Sequence, residues 1–239
     1  MTMRFEELGW RDSPMGEISL RRRFDPEVRA EVYEVKLDDE FLMSSLFTVA
    51  ERELSHLGLA RVAADGDLDV IVGGLGLGYT ALAALEDPRV RELQVVEYSE
   101  AVIDWHERDL LPDTVGLAAD ERVRLVCADF FAAAMSAEGF DPERPGRQYD
   151  AILLDIDHSP SRFLHSPHAA FYTEEGLRAM AAHLKPEGVF AIWSDDPPAP
   201  EFMTVLMGVF AGVKAKRVWF DNPYTGGRSS NTVYTAIRA

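Results

Sequence analysis

Val70-Ile71-Val72-Gly73-Gly74-Leu75-Gly76-Leu77-Gly78 reads as a buried strand that runs into a glycine turn and opens a helix. Leu93-Gln94-Val95-Val96-Glu97 reads as the next strand, ending in one carboxylate. Glycine adopts positive φ and lets the backbone approach a ligand closely. A carboxylate one βα unit later is placed to accept hydrogen bonds from both hydroxyls of a ribose. The two segments predict a nucleoside-cofactor site held by Gly73, Gly74, Gly76, Gly78 and Glu97.

Outward from this stretch, strands and helices alternate, the pattern of a parallel sheet covered on both faces. Strands are expected at 68–73, 93–97, 122–126, 150–155 and 188–193, and helices near 78–86, 99–110, 171–184 and 199–211. Lys214–Phe220 and Thr232–Arg238 are expected to close the chain as an antiparallel hairpin, with turn glycines at Gly226 and Gly227. The fold class is therefore α/β, a doubly wound, mostly parallel, Rossmann-like sheet of seven strands. Its terminal hairpin resembles the class I methyltransferase architecture.

Residues 1–45 form a separate β-rich element ahead of a 46–239 domain that binds the cofactor. Glu17–Arg23 and Glu31–Leu37 alternate as half-buried strands do, Asp38-Asp39-Glu40 is a polar turn, and Phe41-Leu42-Met43 a short return strand. Arg21 to Arg23 read as a solvated edge. From Leu46 to Ala63 the apolar residues Leu46, Val49, Ala50, Leu54 and Leu57 recur at helical spacing.

The bulk numbers narrow the class. The chain has 239 residues, 47% of them hydrophobic, enough for one α/β domain with a small addition. Its net charge of −17, from 41 acidic against 24 basic residues, repels nucleic acid and attracts cations. No apolar run is long enough to span a membrane, and Met1-Thr2-Met3-Arg4-Phe5 does not open a signal peptide. The single Cys127 fits a reducing compartment. A cytoplasmic protein without nucleic-acid or membrane partners is expected.

The glycine loop alone leaves two cofactors open. Gly76-Leu77-Gly78-Tyr79-Thr80-Ala81 fits the G-x-G-x-x-A dinucleotide fingerprint, whereas Gly74-Leu75-Gly76-Leu77-Gly78 fits the G-x-G-x-G of S-adenosylmethionine binders. Cys127-Ala128-Asp129-Phe130-Phe131 adds a third anchor after the strand at 122–126. Asp129 is placed to accept from an adenine amine while Phe130 packs on the ring; the alternative is that Asp129 only caps the following helix.

Several segments together resemble the spermidine synthase family, the aminopropyltransferases. Gly73–Gly78 stands where that family has its glycine-rich loop. Val95-Val96-Glu97-Tyr98-Ser99-Glu100-Ala101-Val102-Ile103-Asp104 is similar to its ribose-binding strand and following helix. Tyr149-Asp150-Ala151-Ile152-Leu153-Leu154-Asp155 is similar to the strand carrying its catalytic aspartate, and Phe171-Tyr172-Thr173-Glu174-Glu175 to the helix start after its active-site loop. The chain departs from the pattern in three places. Gly76 stands near the usual position of a loop acid, His158 replaces a second aspartate with Asp157 beside it, and Met43-Ser44-Ser45 replaces a tyrosine-histidine-glutamate type of amine contact.

The resemblance implies a homodimer. It also implies alkyl transfer from S-adenosylmethionine or its decarboxylated form to a small cationic amine. The nucleoside product is then S-adenosylhomocysteine or methylthioadenosine. Asp155 would anchor the acceptor and take its proton, with His158 and Tyr172 at the catalytic site and Asp157 and Asp195 toward the substrate. Asp195-Asp196-Pro197-Pro198 reads equally well as a turn that starts the next helix. His158, His165 and His168 match no common zinc spacing, so no metal is expected. Methyl transfer to a small molecule, or a catalytically silent nucleoside-binding homologue, remains the alternative function; an NAD oxidoreductase would need a second catalytic domain.

Overall fold

The structure, a computed structural model, describes residues 5–13, 16–38 and 40–239. Met1 to Arg4 of the expected N-terminal reading, and Asp39 of the expected polar turn, lie outside these. The larger sheet has seven strands in the order β10-β11-β9-β8-β5-β6-β7. These are β5 (Leu68–Gly73), β6 (Val90–Glu97), β7 (Val123–Cys127), β8 (Tyr149–Leu154), β9 (Leu184–Ser194), β10 (Ala211–Asn222) and β11 (Gly227–Ile237). The β5–β6, β6–β7, β5–β8 and β8–β9 pairs are parallel, while β11 pairs antiparallel with both β9 and β10.

Successive side chains of a strand point to opposite faces, and both faces of this sheet are covered. Val70, Val72, Ala151, Leu153, Val189 and Ala191 pack with α1 (Val49–Leu59), α2 (Tyr79–Leu85) and α3 (Glu100–Glu107). Their neighbours Ile71, Ile152, Leu154, Phe190 and Ile192 pack with α4 (Phe130–Met135), α5 (Glu174–Ala181) and α6 (Pro200–Met207). This explains the unbroken apolar runs of the central strands.

The smaller sheet is antiparallel, in the order β1-β2-β3-β4, from β1 (Phe5–Ser13), β2 (Gly16–Asp25), β3 (Ala30–Leu37) and β4 (Glu40–Ser44). Ile18, Leu20 and Val35 join the core cluster of α1 to α3, so one face of this sheet is built into the main body. Trp10, Ser19, Lys36 and Phe41 stand opposite one another across the strands and share the other face, where Trp10 is 57% and Phe41 50% exposed.

Several boundaries differ from expectation. Strand β1 has no buried residue to mark it and carries a register shift between Glu7 and Gly9, so no alternation shows in the sequence. The helix expected over 171–184 is a 3-10 turn at Ser166–Ala170 followed by α5, which Thr173 caps by accepting from the Gly176 amide. Helix α6 stops at Met207, with Gly208 at its C-cap, and the chain is already extended at Ala211.

Strands β5 and β8 are neighbours, and β6 continues the sheet on the far side of β5. The connections after β5 and β8 therefore part there, opening the crevice in which such sheets bind ligands. Gly74 follows β5 at φ 92°, and an added Cβ would overlap the carbonyl oxygen of Asp155. The Asp155 amide in turn donates to the Gly73 carbonyl at 2.8 Å. Gly74→Ala should lower stability by about 1–3 kcal/mol, through strain at positive φ and separation of the two strand ends. A denaturant midpoint equal to that of the wild type would contradict this packing.

Candidate active site

Two connected cavities open at the carboxyl ends of β5, β6 and β8. The larger, about 270 Å³, is lined by Gly74, Gly76, Glu97, Ser99, Asp129, Phe130, Phe131 and His168 on the main body, and by Ile18, Val35 and Leu37 from the smaller sheet. The smaller, about 90 Å³, is lined by Met43, Glu51, Gly76, Tyr79, Asp155, His158 and Trp193, among others.

The glycine turn is fastened before any ligand arrives. Glu97 Oε2 accepts from the Leu75 amide at 2.9 Å and Oε1 from the Ser99 amide at 2.8 Å. Burial pushes this carboxyl up, and those backbone donors pull it down. His106 Nε2 donates to the Gly76 carbonyl at 2.9 Å, and burial lowers the imidazole, keeping it neutral. Gly76 sits at φ 49°, and an added Cβ would lie 2.7 Å from Met43 Sδ. The turn therefore has no room for a side chain at this position unless Met43 moves. Gly73 is equally close to the Phe130 ring, 2.6 Å from an added Cβ.

Asp129 caps α4, with Oδ1 accepting from the Ala132 amide at 3.0 Å, yet it stays exposed at the rim of the larger cavity. The capping alternative and the cavity position thus coexist. Phe130 is 2% exposed and belongs mainly to the core, against Phe140 and Phe171. Phe131 next to it stacks on His168 with centroids 3.9 Å apart and forms an aromatic wall.

Asp155 follows directly on β8, stands between the two cavities and lines both. Its Oδ2 accepts from the Thr80 hydroxyl at 2.5 Å, and burial pushes its pKa up to about 6. His158 lines the smaller cavity, with Nε2 3.5 Å from Glu40 at the edge of the small sheet.

Three expected substrate or catalytic residues are placed elsewhere. The Asp157 carboxylate accepts from the Leu164 amide at 2.8 Å, His168 Nδ1 at 2.9 Å and the Tyr172 hydroxyl at 2.9 Å. Asp157 and Tyr172 therefore knot the loop 156–170 from behind and line neither cavity. Asp195 is engaged by Arg162 Nη2 at 2.9 Å and Asn231 Nδ2 at 3.0 Å, which ties the same loop to the end of β9. These carboxylates are used up in shaping the roof of the site.

Sequence reasoning passed over Glu51, Tyr79, Thr80 and Trp193. Glu51 stands on the first turn of α1, and Ser55 and Gly58, at helical spacing from it, are buried. A glutamate heading a stripe of small buried residues was the available signal.

The comparisons with known proteins bear on this geometry. No family model matches the chain. It is 26% identical over 146 residues to a polyamine aminopropyltransferase of Oceanobacillus iheyensis, a stretch that takes in 60% of this chain and 26% of that protein. The match thus spans about a quarter of the curated relative's length. A spermidine synthase solved in complex with the transition state analogue AdoDATO superposes with a TM-score of 0.72 at 19% identity, over 98% of this chain and 74% of the other. The fold is that of a spermidine synthase. The spermidine synthase of Thermotoga maritima gives a TM-score of 0.69 at 18% identity, over 98% and 72% of the two chains. The spermidine synthase-like arrangement takes in both sheets, since the superposition spans nearly the whole chain.

Proposed function

We propose that this chain transfers the aminopropyl group of decarboxylated S-adenosylmethionine to the nitrogen of a small amine. The observation that carries this reading is the place of Asp155. Among the described residues lining both cavities it alone bears a charge; Leu42, Met43, Gly76, Ile156 and Leu164 are the apolar or small company it keeps. The larger cavity takes the nucleoside, with Glu97 on the ribose, Asp129 on the adenine amine and Phe131 beside the ring. The smaller takes the acceptor. The names of the relative and of the solved structures support the same chemistry.

A sulfonium supplies its own activated leaving group, so the protein's task is proximity, orientation and proton removal. The glycine turn and Glu97 fix the nucleoside. Apolar walls exclude water between the cavities. Asp155 holds the acceptor nitrogen and receives its proton as the new carbon–nitrogen bond forms. The acidic chain, at −17, draws cations toward the site.

Methyl transfer from intact S-adenosylmethionine is a second reading, favoured by Gly76, where the turn offers no acid to an amine. Calorimetry with decarboxylated S-adenosylmethionine, S-adenosylmethionine, methylthioadenosine, S-adenosylhomocysteine and NAD decides between them. Tighter binding of the decarboxylated form and methylthioadenosine is expected; preference for the intact form and S-adenosylhomocysteine would replace aminopropyl by methyl transfer.

We also propose that the enzyme is cytoplasmic and works as a homodimer. No helix among the described residues is long and apolar enough to cross a membrane. The outer face of the small sheet carries the exposed Trp10 and Phe41, with Phe5 60% exposed near by. Exposed aromatics grouped on one face mark association surfaces. Light scattering at micromolar concentration should give twice the 26.7 kDa of one chain; a single-chain mass would refute the dimer.

A further inference from the structure

The smaller cavity holds a second carboxylate that the reading above leaves unused. Glu51 lines it beside Asp155. Helix α1 packs against α2, and the two are stitched by Ser55 Oγ, which donates to the Thr80 carbonyl at 2.6 Å, and by Thr80 Oγ1, 3.3 Å from the Glu51 carbonyl. The same Thr80 hydroxyl bonds Asp155. Thr80 thus lies against both the Asp155 carboxylate and the backbone of Glu51. The Glu51 side chain is half-buried in the cavity wall, and among the described residues its carboxylate has no hydrogen-bond partner in another residue.

Arg52, next to it on α1, is the cation whose charge reaches it, and that guanidinium is engaged elsewhere. Arg52 lies over the Tyr79 ring at 5.3 Å and reaches Glu86 at 3.5 Å. The Tyr79 hydroxyl is given to Asp113 at 2.6 Å. On β10, Lys216 is held by Glu53 at 3.3 Å; on β11, Thr235 takes Arg61 at 2.8 Å; beyond β9, Asp195 is held by Arg162. His158 is the remaining titratable group in the cavity wall. A half-buried acid facing a cavity, with its nearby cation directed to other groups, is costly to ionise, and a positive ligand lowers that cost.

We propose that Glu51 and Asp155 form one carboxylate pair that seats the acceptor nitrogen, Glu51 binding it as the ammonium and Asp155 taking its proton. The proposal rests on the transfer reading. In that step Asp155 first takes a proton from the bound ammonium, the freed nitrogen lone pair forms the new C–N bond, the C–S bond breaks with its electron pair staying on sulfur as a neutral thioether, and the product nitrogen carries the positive charge that the sulfonium loses. Burial raises both carboxyls, and the charge of Asp155 raises Glu51 further. A carboxyl held above its unfolded range of about 4.3 favours folding most at low pH and withdraws that stability as pH rises through the folded value. The melting temperature of Glu51→Gln should therefore overtake that of the wild type increasingly from about pH 5 to pH 8.

The test is carboxyl ¹³C NMR titration of the full chain, with and without 1,4-diaminobutane, in wild type, Asp155→Asn, Glu51→Gln and Glu51→Asp. Asp155→Asn should bring the Glu51 midpoint down by about one pH unit, since the Asp155 charge is what raises it beyond burial. Glu51→Gln should raise the KM for the amine at least about tenfold, the loss of one charged hydrogen bond, and leave methylthioadenosine affinity unchanged. Glu51→Asp should restore the wild-type pattern in part. An unmoved Glu51 midpoint in a folded Asp155→Asn protein overturns the pair. So does a KM rise confined to decarboxylated S-adenosylmethionine, or an equal loss of methylthioadenosine affinity. If the wild type turns over no amine, the transfer reading fails, and diaminobutane shifts of both carboxyl signals still decide whether the pair holds a cation.

Discussion

Asp155→Asn is expected to lower turnover by about 10²–10⁴ while methylthioadenosine binding stays at the wild-type level. Asparagine keeps the size of the side chain and can still accept from the Thr80 hydroxyl, which lies 2.5 Å from Asp155 Oδ2. It loses the charge that holds an ammonium and the site that receives a proton. The adenosine anchors proposed above lie on β6 and at the start of α4, away from this change. The opposite role, a brace for the loop that follows, makes a different forecast. The brace contact seen in the structure runs from the Asp155 amide to the Gly73 carbonyl and survives the substitution. Because burial already penalises the charged form, Asn should leave the melting temperature equal or higher at neutral pH. A rate constant and a melting curve on one preparation separate the two: a large stability loss with turnover preserved at low temperature removes Asp155 from the chemistry.

Glu97→Ala is expected to weaken methylthioadenosine binding by about 2–4 kcal/mol, through loss of charged hydrogen bonds to the ribose. It acts twice. The free carboxylate also bridges the Leu75 and Ser99 amides, so removal leaves two backbone donors unpaired and slackens the glycine turn. From its strand-end position alone, the sequence reading expects Glu97 to contribute little to the fold. The structure adds a stability cost of about 1–3 kcal/mol for the abandoned amides. Equal affinity of wild type and Glu97→Ala for methylthioadenosine would defeat the ribose assignment.

The parts of the site that end strands were legible in the sequence, because an apolar run of fixed length names the residue at its end. Glu97 and Asp155, which line the cavities, were picked out in this way, whereas Gly73 ends β5 but lines neither cavity. The direction of a loop side chain carries no such signal. Asp157 lies two residues beyond Asp155, yet the loop folds back and its carboxylate meets Leu164, His168 and Tyr172. Glu51 and Trp193 reach the cavity through the packing of α1 and β9, elements far apart in the chain, and no local pattern reports that meeting. Strand β1 was missed for a related reason: its residues are exposed or half-buried, so burial did not imprint a period of two.

The walls of the larger cavity come from both sheets. Ile18, Val35 and Leu37 face Glu97, Asp129 and Phe131 across the space assigned to the nucleoside. A ligand there is mortar between two courses of masonry: it touches the small sheet and the main body at once. Ligand affinity and the docking of residues 5–44 are then a single equilibrium seen from two sides. Slow amide exchange in β2 and β3 becomes a gauge of occupancy, and a chain cut at residue 45 would lose one side of its nucleoside pocket along with the sheet.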